Sequence, residues 1–153
     1  MIGIGGIISG VNRKKVAIWT GVVVVFVIIC FMIYYVYKNY KSRQAVRDEK
    51  KAIIHSDLSF DDSDYSRMAD ELYEAMNGFG TKSPTIFSVL NVLRTASDWH
   101  QLFVSFDVRS STGNWAWWNP FKDKNLTNWL EYELSADELG NVRVILHNIQ
   151  IPF

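Results

Sequence analysis

The chain has 153 residues, with 16 basic and 16 acidic side chains that cancel. The balance is uneven: residues 1–55 hold nine basic and two acidic side chains, residues 56–153 seven and fourteen, so the first part is near +7 and the rest near −7. An acidic remainder of about 95 residues argues against a nucleic-acid binder, which needs a basic face, and has room for one compact domain rather than two.

Residues 1–15 are a glycine-rich tail ending in Arg13, Lys14 and Lys15. Val16 to Tyr37 then runs without a charge, and about 1.5 Å per residue gives a helix matching a ~30 Å bilayer core. Trp19 stands near one end of this run, and Tyr34, Tyr35, Tyr37 and Tyr40 near the other, where interfacial aromatics belong. A cleaved signal peptide has a shorter apolar core and a small-residue cleavage site; this run ends in tyrosines and lysines. Residues 16–37 are therefore expected to be an uncleaved, single-pass transmembrane helix with the lipid bilayer as its first partner. Cys30 lies inside it and is the lone cysteine, so no intrachain disulfide is available. Six basic residues follow the span by Lys51 against three before it, which by the positive-inside rule predicts a cytoplasmic C-terminal domain.

Residues 38–55 lack Pro and Gly and are expected to continue as a basic helical stem or linker, either solvated or drawn to anionic lipid. Residues 56–153 read as an all-α domain of five short helices. Ser63 or Asp64 is expected to cap the first, near Ser66–Asn77, whose inner face is Met68, Leu72, Ala75 and Met76. Gly78 stops it. Ser83-Pro84 opens the second as cap and first-turn proline, with Ile86, Val89, Leu90 and Leu93 inward. The third, near Ser97–Asp107, offers Leu102, Phe103 and Phe106; the fourth, near Leu126–Leu134, offers Leu126, Trp129 and Leu130. Ser135-Ala-Asp-Glu138 is a capping box, flanked by the staple pair Leu134 and Leu139, and starts a fifth helix with Val142, Ile145 and Leu146 inward. Ile149, Ile151 and Phe153 are expected to pack on the bundle.

Two segments carry a resemblance. ELYEAMNGFGTKSPTIFSVL resembles the first half of an annexin repeat, whose hallmark is a helix ending in a GxGT turn. NLTNWLEYELSADELGNVRVIL resembles the second half, with its ELS junction between the fourth and fifth helices. The resemblance covers roughly residues 64–147 and implies a five-helix annexin-repeat-like fold. It departs in having one repeat rather than four, a transmembrane helix, and an inserted RSSTGNWAWWNPFKDK; single annexin-like repeats in bacterial and phage proteins are the nearer comparison. By position the resemblance implies a calcium ion held by the carbonyls of Met76, Gly78 and Gly80 and the carboxylate of Glu133. Oxygen donors and glycine bends suit calcium, but one carboxylate makes a weak site, Lys82 follows the turn, and the glycines serve equally to turn the chain.

Trp115, Trp117, Trp118 and Phe121 in the insert are candidates for an interface anchor or partner-binding patch, or for rings folded over the small core. Catalysis finds no support: His55, His100 and His147 have no metal-ligand spacing, and Asp98, His100 and Ser105 are near only in sequence, His100 being most simply a helix-surface residue. The sequon at Asn125 reads equally as a helix cap. The sequence thus predicts a non-enzymatic, membrane-anchored interaction module with a protein partner; the alternative is an accessory envelope or phage membrane protein whose domain is purely structural.

Overall fold

The structure is a computed structural model that describes residues 13–78, 80–112 and 123–153, with side chains from residue 19 onward. It divides into two compact units, residues 1–37 and 38–153.

Helix α1, Arg13–Ala52, crosses the division unbroken. In the first unit its apolar side chains face outward all round the helix, with Trp19 69% and Phe26 65% exposed and none of the most apolar stretch buried. This helix is long and apolar enough to cross a membrane.

The second unit begins with the C-terminal part of α1, residues 38–52, here called the stem. Its buried and half-buried positions are Lys38, Asn39, Ser42, Ala45, Val46 and Glu49, which recur at helical spacing on one face. Ala45 and Val46 pack against the core, and Asn128 Nδ2 donates to Ser42 Oγ at 3.3 Å. One stem face is therefore docked rather than solvated. A short 3-10 turn, His55–Asp57, then leads into helix α2, Asp62–Met76. Helices α3, Ser83–Asn91, and α4, Ala96–Phe106, follow, then α5, Leu126–Glu133, and α6, Ala136–Asn148. Between α4 and α5 a two-residue antiparallel ribbon pairs β1, Arg109–Ser110, with β2, Asp123–Lys124, in a stretch that the apolar periodicity left irregular.

The predicted inward faces form the core. Leu72, Ile86, Leu90, Leu102, Phe106, Leu126, Leu130, Val142 and Leu146 are fully buried, and full burial of such a side chain contributes on the order of 2 kcal/mol. Tyr65, Ala69 and Trp99 join them, and Ile151 closes one end. Trp99 meets Phe103 and Phe153 edge-on, and Tyr73 meets Trp129 at 5.7 Å and Phe106 at 6.4 Å. The Arg109 guanidinium lies over Tyr73 and Phe106 and pairs with Asp70 at 2.8 Å.

Two caps differ from expectation. Asp61, not Ser63 or Asp64, caps α2: its carboxylate accepts from Asp64 N at 3.0 Å and also from the Ser63 hydroxyl. Position Lys82 caps α3 without a side-chain bond, so Ser83 and Pro84 both lie inside the first turn and the Ser83 hydroxyl is free to donate to Glu138. The Ser135–Glu138 box forms as the sequence predicts, and Thr95 with Asp98 makes a second box on α4.

Candidate functional site

The GxGT turn joins the C-terminus of α2 to α3. Lys82 N donates to Ala75 O at 3.0 Å, folding the turn back on the helix, and Gly80 takes φ +78°, a conformation that favours glycine. Space around Gly78 and Gly80 is open: a methyl group built on either meets nothing within 4 Å.

Glu133, the last residue of α5, is half-buried rather than a free surface acid, and its Oε2 accepts from the Thr81 hydroxyl at 2.8 Å. Next to it Glu138 receives Ser83 Oγ as well as Ser135 N and Oγ, and these bonds hold its carboxyl below the usual carboxylate range. Two acids of the α5–α6 junction thus clasp both ends of the segment Thr81–Ser83. Of the four positions Met76, Gly78, Gly80 and Glu133, the Thr81 bond ties Glu133 to the residue after Gly80. Carbonyl and carboxylate oxygens are hard donors of the kind calcium takes. Glu133 is the sole carboxylate in this set, and among the described residues no three of His, Cys, Asp and Glu converge as metal ligands.

Lys124 was not singled out by the sequence. Only 5% of it is exposed, and its Nζ sits over the rings of Tyr132 at 4.2 Å and Trp129 at 4.8 Å without a hydrogen-bond partner among the described residues. Burial pushes its pKa down, the charges of Glu133 and Asp123 oppose this, and Lys38 adds to it. Beside it Asp123 accepts from the Ser110 hydroxyl and, at 3.5 Å, from Asn39 Nδ2 on the stem. The ribbon therefore ties the insert's flanks to the beginning of the second unit. Trp115, Trp117, Trp118 and Phe121 lie outside the described residues.

Asp98, a neighbour of His100 and Ser105 in sequence, is fully buried and serves the fold. Its Oδ1 accepts from Tyr65 OH at 2.6 Å and Ser59 N at 2.8 Å, and its Oδ2 from Arg94 N at 2.8 Å and Thr95 N at 3.1 Å. Burial by itself raises the Asp98 pKa, but these bonds outweigh it and hold the carboxyl below its ordinary value. The pattern Thr95-Ala-Ser-Asp98, a capping-box spacing, was the signal that could have found it. His100 is not a plain surface residue either: its Nδ1 contacts the Glu49 carboxylate, joining the stem to α4, and 18% of the side chain is exposed. A cleft of about 520 Å³ beside it is lined by Ile54, Asp57, Arg94, Ser97, Asn148 and Gln150, among others. Asn125 caps α5 through Asn128 N at 3.0 Å, as the cap reading of the sequon expects.

No protein-family model, curated protein or solved structure matches the chain.

Proposed function

We propose that this is a single-pass membrane protein whose α1 anchors a non-enzymatic, annexin-like helical module at the bilayer surface, where it engages a protein partner. The observation that carries the anchor is the all-round exposure of apolar side chains from Trp19 to Tyr37. A helix of the core hides such a surface; a bilayer solvates it, and its backbone groups are satisfied within the helix. Trp115, Trp117, Trp118 and Phe121 are the proposed contact residues, on the ground that clustered aromatics suit an interface. An accessory envelope or phage protein with a purely structural domain is the competing account.

Carbonate extraction of membranes tests the anchor. The full chain should stay in the pellet at its unprocessed mass; a soluble chain, or one beginning beyond residue 30, ends the reading.

The Thr81–Glu133 bond favours a calcium-assisted form of the same function, with the ion held by Met76, Gly78, Gly80 and Glu133. A bound ion would offset the negative charge that keeps the domain from anionic lipid. Millimolar calcium should then increase sedimentation of the second unit with anionic vesicles, and Glu133→Gln should abolish the gain. Sedimentation unchanged by calcium would leave the turn a purely structural joint.

A further inference from the structure

We propose that anchored copies of this chain associate laterally, the basic outer face of one stem meeting the acidic outer face of α2 on a neighbour. The proposal rests on the anchor reading. Along residues 38–52 one basic residue, Lys38, is half-buried on the docked side, whereas Lys41, Arg43, Arg47, Lys50 and Lys51 are all exposed. The one acid on that outer face, Asp48, pairs with Lys51 at 2.9 Å.

The outer face of α2 is its opposite in charge. Asp62, Asp70, Glu71 and Glu74 are exposed, with Asp61 just before the helix. Arg67 is the helix's single basic residue and is engaged by Asp64 at 3.3 Å and Glu71 at 3.8 Å.

The exposed basic residues run from Lys41 to Lys51, about 15 Å of helix, and the acids from Asp61 to Glu74 run about 20 Å, so the acidic strip is long enough to cover the basic one. The basic strip is nearly two Debye lengths long at physiological salt, ~8 Å, so a flat anionic surface meeting one end of it leaves the other end screened. A helix lying alongside meets the whole strip, and α2 of a second copy has the sign and length to do so.

α4 touches the stem through His100 and α2 through Gln101, and no ion pair among the described residues joins the two faces. A single chain does not bring them together, so the contact is head-to-tail and adds copies in a row or ring. Each exposed ion pair is weak, but membrane tethering raises the effective concentration, and the association should be reversible and salt-sensitive.

The test is energy transfer between donor- and acceptor-labelled full chains in phosphatidylcholine vesicles. Transfer should appear at low salt and fall roughly tenfold at ~1 M, where the Debye length is ~3 Å. Arg43→Glu with Arg47→Glu should abolish it, as should Glu71→Lys with Glu74→Lys. Mixing the two doubly reversed chains should restore it, which a misfolded variant does not do. Absence of transfer in the native chain, or no restoration on mixing, overturns the proposal. Transfer that requires added phosphatidylglycerol assigns the stem to lipid and overturns it too. Vesicle flotation separates the two readings: a chain that floats without transfer refutes only the association, and one that does not float refutes the anchor as well.

Discussion

At Asp98 a carboxylate is held without exposed surface by four donors, which makes stability depend on pH. Because its pKa is lowered in the fold, its contribution is present above the unfolded value near 4 and is lost as pH falls through the lower folded one. Tyr65 is raised, chiefly by burial and then by its bond to Asp98, so its contribution is complete below the unfolded value near 10 and fades as pH climbs beyond it. Asp98→Asn should lower stability at pH 7 by about 2–3 kcal/mol and flatten the acid limb of a stability–pH curve measured by urea melts. An acid limb as steep as the native one would place the titration elsewhere. Lys124 works in the opposite sense: a buried ammonium without a hydrogen-bond partner among the described residues disfavours the fold. Lys124→Met keeps the length and contact with Trp129 and Tyr132, and the same melts at pH 7 should show a gain of about 1–3 kcal/mol. A loss would mean that the cation–ring contacts outweigh the burial cost.

The helices were legible where the signal was periodic. Met68, Leu72, Ile86, Leu90, Leu102, Phe106, Trp129 and Leu146 repeat at helical spacing, and all are buried. The Ser135–Glu138 box was legible for a local reason, because both partners lie within one turn. The docked face of the stem was not, since Asn39, Ser42 and Glu49 are polar and meet Asp123, Asn128 and His100 from 51 or more positions away. Asp61, Ser63 and Asp64 are all acceptable caps, and only the path of the chain selects the first. In the candidate site, Glu133 could be named by resemblance, but its tie to Thr81 spans 52 positions, and nothing local marked Lys124 for burial. At this scale Leu130→Ala should cost about 2–5 kcal/mol by opening a core cavity, and Ser135→Ala only about 1 kcal/mol by removing one cap. Urea melts of residues 38–153, which keep the docked stem, would show a comparable pair of small losses only if Leu130 were replaceable within the core.

Over the whole molecule the charges are sorted along the chain, basic around the apolar helix and acidic beyond it. On the proposed anchor, six basic residues after the apolar run against three before it would by the positive-inside rule put the second unit on the cytoplasmic side. Protease added to intact cells or spheroplasts should leave it uncut until the membrane is permeabilised; digestion without permeabilisation puts the domain on the outer side.

The clasp of Glu133 and Glu138 on Thr81 and Ser83 orders events in time. Its two bonds close loops of 52 and 55 residues, so during synthesis α2 and α3 are made well before either glutamate exists to hold the turn. Contacts that close long loops form late, after nearby helices have paired. Pulse-labelled hydrogen exchange during refolding should therefore show amides of α2 and α4 protected before those of Thr85 and Ile86, which bond back to Lys82. Simultaneous protection would mean that the turn is set by its glycines alone. In the ordered case, a chain released before Glu133 would carry a GxGT turn that neither carboxylate yet holds, open to chaperones and proteases.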